Sequence, residues 1–163
     1  MKHLTVIFFA LFLTAGSGQE VIYFDDFNDG QLDMQVWSFQ NGNGCPDLCG
    51  WGNNEKQVYR PENLNIENGN LIIKTTLENG TYFSSKVHTK DKLEFQYGTI
   101  EVRALLPQGT GIWPAIWLLG SNIDEVGWPL SGEIDMMEFA GKNPDQIHTT
   151  MHTQDSHGNS KNT

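Results

Sequence analysis

The sequence predicts an all-β protein, an antiparallel β-sandwich, on three observations. Gly, Asn, Asp and Pro interrupt the chain every several residues. The segments between these breaks are short and rich in β-branched and aromatic residues, which is strand spacing. No apolar stripe of helical period outlasts a turn or two, and there is no internal repeat or low-complexity linker. The 163 residues suffice for one ordinary domain, and a charged fraction of 18% with 11% aromatics and 17 glycines marks a globular, turn-rich chain. Ten basic against twenty acidic side chains give a formal charge of −10. Such a surface repels the phosphates of nucleic acids and of anionic membranes, whereas a neutral ligand such as a sugar is indifferent to it.

The elements follow in chain order. Lys2 and His3, the apolar run 4–13 and the small residues 14–18 are the three regions of a secretory signal peptide, so 1–18 is expected to be cleaved and 19–163 to form the domain. The apolar run is about half of the roughly 20 residues that span a bilayer, and no later segment is apolar enough to do so. The expected location is therefore secreted, extracellular or periplasmic, with no membrane contact once the leader is gone. An oxidising compartment favours a disulfide between Cys45 and Cys49 over a metal site, because two thiols without neighbouring His fall short of the four ligands zinc normally takes. Strands are expected at 21–27, 57–59, 64–67, 71–76, 82–87, 97–105, 112–119, 133–139 and 146–152. Asn68 with Gly69, and Asn79 with Gly80, are hairpin turns, since both residue types tolerate positive φ. With Thr81, Asn79 is also a glycosylation acceptor in a eukaryotic host.

Side-chain alternation sorts these strands into faces. Trp113, Ala115 and Trp117 point one way, and Ile112, Ile116 and Leu118 the other. The aliphatic set wants a core. The two tryptophans with a small residue between them either fill a core as well or make a flat floor that suits the apolar face of a sugar ring. In 99–105 the same rule groups Ile100, Val102 and Ala104, and puts Glu101 and Arg103 opposite them, where Arg103 is a donor to sugar hydroxyls or a solvated charge.

The stretch that carries chemistry is 132–139, Gly-Glu-Ile-Asp-Met-Met-Glu-Phe. Three carboxylates fall within six residues of an otherwise apolar strand. Glu133 and Asp135 share a face, while Glu138 falls on the other unless one extra residue at Met136 or Met137 forms a β-bulge and turns it back. Retaining glycoside hydrolysis needs such a set: one carboxylate as nucleophile and a second, about 5–5.5 Å away, as acid and then base. Crowded like charges hold a proton up to neutral pH, which makes the acid role available, and Asp135 between the two is placed to share a hydrogen bond with the nucleophile. A solvated acidic strand or a calcium cluster would leave the flanking tryptophans unexplained.

This stretch resembles the signature of glycoside hydrolase family 16, in the longer form that marks its laminarinase-like, endo-β-1,3-glucanase members. Trp51-Gly52-Asn53, Tyr97-Gly98, Arg103, the run from Trp113 to Trp117, and Trp128-Pro129 occur in the family's order. The resemblance implies a jelly-roll, concanavalin A-like sandwich with a carbohydrate cleft. It implies Glu133 as nucleophile, Asp135 as its assistant and Glu138 as acid/base, with Asn53, Arg103, Trp113, Trp117 and Trp128 lining sugar subsites. His148 and His152 share a strand face with Thr150, and the resemblance places His152 near the acid/base as a hydrogen-bonder. A zinc site from His148, His152, Asp155 and His157 matches no standard ligand spacing. No cofactor is required, and no metal site is expected in the chain as it stands. The family's structural calcium belongs to the complete domain and would draw on Asp25 or Asp26 and on a ligand beyond Thr163. The family's sandwich continues past the polar stretch 155–163, so the fold is expected to be incomplete at its C-terminus, 19–163 to be the N-terminal part of a catalytic domain, and this part alone to be inactive.

The expected function is secreted, endo-acting hydrolysis of β-1,3-glucan, including mixed-linkage β-1,3-1,4-glucan, by a monomer. Two alternatives stay open: a non-catalytic β-glucan recognition protein on the same scaffold, recognised by loss of the catalytic carboxylates, and a hydrolase acting on a galactan such as agarose or carrageenan.

Overall fold

Ten short strands and very little helix make up the computed structural model, which describes residues 20–158; the expected leader lies outside them. The strands are β1 (Ser38–Gln40), β2 (Gln57–Tyr59), β3 (Leu64–Glu67), β4 (Asn70–Ile73), β5 (Thr76–Glu78), β6 (Thr81–Ser84), β7 (Lys86–His88), β8 (Ala115–Leu119), β9 (Glu133–Glu138) and β10 (His148–His152). One helical turn, α1 (Ile123–Val126), joins β8 to β9, and no helix among the described residues is long and apolar enough to cross a membrane.

The hairpins form where the turn residues demand them. Asn68 and Gly69 both adopt positive φ between β3 and β4, and Asn79 and Gly80 do so between β5 and β6. Every strand pair is antiparallel except β2 with β6, which run parallel, an arrangement that the alternating pattern does not reveal.

Two expected strands are each cut in two by a buried polar residue. Residues 71–76 break because Asn63, buried, accepts Lys74 N–H with its backbone carbonyl and donates its side-chain amide to Lys74 O (2.6 Å) and Thr76 Oγ1 (3.2 Å). Residues 82–87 break at buried Ser85, where the chain leaves its partners β2 and β5 and pairs instead with β1, a strand absent from the sequence reading.

Two further expected strands do not form. In 21–27, Asp25 and Asp26 accept the backbone N–H groups of Phe27 (2.8 Å) and Asn28 (3.1 Å), and these side-chain turns replace a ladder. Segment 97–105 has no strand partner among the described residues. Its predicted alternation nevertheless holds. Ile100, Val102 and Ala104 line one groove of about 260 Å³ with Leu106, Ile116, Met136, Met137 and Ile147, the apolar side of the sheet β8–β9–β10.

The disulfide between Cys45 and Cys49 is formed. It closes a loop in which Gly44 (φ +83°) is obligatory, because a Cβ there would lie 2.0 Å from Leu48 O. That loop sets Trp51 against Tyr59, ring centres 5.8 Å apart.

Candidate active site

The central strand β9 gathers the site. Opposite β8, Ile116 pairs with Met137 and the next residue, Trp117, with Asp135, so Met136 is an extra residue; the pairing with β10 skips at the same place. This is the expected bulge. It brings Glu138 to the face that carries Glu133 and Asp135 and leaves Met136 and Met137 lining the apolar groove on the other side.

On the polar face, β10 lies against β9 and delivers two side chains. His152 Nε2 sits 3.2 Å from Asp135 Oδ2 and 3.9 Å from Glu133 Oε1, while its Nδ1 is buried without a partner, so the ring is committed to the carboxylates. Thr150 Oγ1 donates to Glu138 Oε2 (3.2 Å). From the segment before β8, Trp113 Nε1 donates to the other oxygen, Oε1, also at 3.2 Å, with its ring 67% exposed. Trp128, half exposed, lies beside Glu133 with its ring near His152 (5.7 Å) and His157 (5.4 Å).

The electrostatics follow from crowding. Burial, and then the charge of Asp135, push Glu133 above the ordinary carboxylate range, against the pull of His152 and of the neighbouring Trp128. Burial, and then the charge of Glu138, raise Asp135 as well. Glu133 and Asp135 thus raise each other's cost of ionisation on a shared face of β9, and their titrations are coupled. Ligand atoms of Glu133, Asp135 and His152 lie within 4.8 Å of one another, a set that could coordinate a metal ion. Among the described residues no comparable set of His, Cys, Asp and Glu gathers at Asp25 or Asp26, whose carboxylates accept from local donors, nor from His148, Asp155 and His157.

The remaining expected residues divide. Trp117 lies opposite Asp135, on the polar face but half-buried. Asn53 is exposed and reaches Glu55 at 3.5 Å. Arg103 is exposed and has no hydrogen bond or ion pair to the carboxylates. The sequence reading missed Glu55, whose carboxylate accepts from Gln57 and from Tyr59 OH (2.8 Å), and Lys86, whose ammonium lies over Trp117. The odd-numbered run Glu55, Gln57, Tyr59 was a legible signal, since alternation places all three on one face; a lone lysine in β7 carries none.

The profile of glycosyl hydrolases family 16 matches residues 51–163. The chain belongs to this family. Its fold is that of a family 16 jelly roll: it superposes on the laminarinase from Flavobacterium sp. UMI-01 with a TM-score of 0.84 at 50% identity, covering 88% of this chain and 62% of that one. The laminarinase catalytic domain from Thermotoga maritima gives 0.80 at 41% identity, with 86% and 59% covered. A beta-glucanase from Rhodothermus marinus is 40% identical over 144 residues, 83% of this chain. The chain spans about half, 49%, of that relative's length.

Proposed function

We propose that this family 16 chain carries the catalytic centre of a secreted, monomeric, endo-acting β-1,3-glucanase that also accepts mixed-linkage β-1,3-1,4-glucan and retains configuration. The observation that carries the reading is the bulge at Met136, which puts three carboxylates on one face beside two exposed tryptophans. Glu133 is the nucleophile. The nearby His152 favours its ionised form, and Asp135, two residues on along the same face, is its assistant. Glu138 is the acid/base: it protonates the departing glycosidic oxygen, then takes a proton from the water that opens the glycosyl-enzyme. Trp113 Nε1 and Thr150 Oγ1 orient its two oxygens for both steps. Trp113, Trp117 and Trp128 supply aromatic surface to sugar rings, and Asn53, Arg103 and His152 supply polar contacts. No step needs a cofactor. A structural calcium in the complete domain would draw on Asp25 or Asp26, which lie in local turns, and on a ligand outside the described residues.

A recognition protein would have no use for a nucleophile, its assistant and an acid/base held together, so the enzyme is preferred. In the intact protein, Glu133→Gln should abolish reducing-sugar release from laminarin while glucan binding survives. Glu138→Ala should lose activity that azide partly restores, because azide attacks the glycosyl intermediate without base help. Turnover by Glu133→Gln within tenfold of wild type would sink the assignment. Faster release from agarose than from laminarin or lichenan would move the substrate to a galactan.

A further inference from the structure

Lys86 is a cation in an unusual place. It projects from β7 onto the polar face, half-buried, and its ammonium meets aromatic rings instead of acceptors: Trp117 at 4.6 Å from the ring centre, Trp51 at 5.6 Å and Tyr59 at 6.0 Å. Among the described residues no carboxylate pairs with it within ion-pair distance. Burial lowers its pKa, and the charges of Glu55 and Glu133 work against that loss. A partly desolvated ammonium without protein acceptors is costly, and the ring faces offset that cost.

The consequence falls on Trp117. Its ring comes from the central sheet, Trp51 from beside the disulfide loop and Tyr59 from β2, and the ammonium lies within 6.0 Å of all three ring centres. With a cation seated on one face, only the opposite face of Trp117 is left for a ligand. Trp113 has no such anchor and stands 67% exposed.

We propose that Lys86 is a positioning residue that fixes Trp117 through one ring face so that the other is presented to a sugar. The proposal rests on the glucanase reading above. Its effect is on binding and not on the chemical step.

Lys86→Met keeps the stem and removes the charge; Lys86→Arg keeps a cation. In the intact protein, Lys86→Met should raise KM for laminarin roughly three- to tenfold with kcat within twofold, the scale of a cation–π contact. Lys86→Arg should stay within twofold of wild type in both. In a Trp117→Leu background the methionine substitution should add little, since its effect runs through that ring. Calorimetry of laminarin oligosaccharides in a Glu133→Gln background repeats the cycle without turnover. A protein that binds but never cleaves would therefore overturn the glucanase reading and still decide this one. A fall in kcat at constant KM, full additivity with Trp117→Leu, or an arginine variant as weak as the methionine one would each overturn the proposal. Melting curves accompany every variant, and Lys86→Gln replaces Lys86→Met if the latter does not fold.

Discussion

At the residue scale the site works through crowding. Asp135, buried, carries its carboxyl between two glutamates, and both it and Glu133 are raised by burial first and by a neighbouring charge second. A carboxyl raised in the folded state contributes stability that is complete below the ordinary carboxylate range and is lost as pH rises through the raised value. At neutral pH the cluster therefore works against the fold. Glu133→Gln, which deletes one of the charges, should stabilise the intact protein at neutral pH by roughly 0.5–2 kcal/mol. That gain should shrink towards zero as pH falls below about 4, where the wild-type carboxyls are protonated too. Thermal melts of the two proteins across this range test it. A variant less stable than wild type at every pH would mean that the contacts of Glu133 with His152 and Trp128 outweigh the repulsion.

At the element scale the decisive feature is parity along β9. Glu133 and Glu138 are an odd number of residues apart, and only the extra residue at Met136 makes them neighbours on one face. Deleting Met136 leaves an even spacing, so a regular strand still presents all three carboxylates together. Deleting Ile134 instead throws Asp135 and Glu133 to opposite faces. The first deletion should cost about 10²-fold in kcat/KM through a displacement of the order of an ångström, while the second should leave no measurable laminarin hydrolysis. Equal and complete loss in two folded variants would show that the bulge matters for more than parity. This strand was legible because its chemistry and its period disagreed, and a bulge is the local structure that reconciles them. The hairpins at Asn68 and Asn79 were legible because positive φ selects few residues. What stayed illegible was decided by distant partners. The break at Lys74 depends on Asn63, eleven residues earlier, and the one at Ser85 on β1, some 45 residues back. Segment 97–105 has the right alternation but no neighbour to pair with among the described residues, and the roles of Asn53 and Arg103 rest on likeness to the family, since neither reaches the carboxylates.

At the scale of the whole molecule, the two faces of the sheet β8–β9–β10 are unequally finished. On the polar face Glu138 is held by Trp113 and Thr150, and Asp135 and Glu133 lie against His152. Behind it, the groove lined by Ile100, Val102, Ile116, Met136 and Ile147 is open, and Phe139 is the one buried hydrophobic side chain among the described residues. Val102 and Ile147 are more than half exposed, and Leu105 almost wholly so. A sandwich draws its stability from two apolar faces closing on each other, and uncovered faces with free strand edges associate instead. Residues 19–163 expressed alone should therefore be insoluble or molten, bind a hydrophobic dye and fail to hydrolyse laminarin, despite carrying all three carboxylates, because the cleft is held in shape from behind. The comparison that isolates the cause is a chimera. The part of the Flavobacterium laminarinase that this chain does not cover, grafted after Gly158, should cover the groove and give a soluble protein with a cooperative melt and measurable turnover. If residues 19–163 alone melt cooperatively and cleave laminarin as a monomer, the open groove costs the fold nothing. If they do so only as an oligomer, the apolar face has been closed by a second copy of itself.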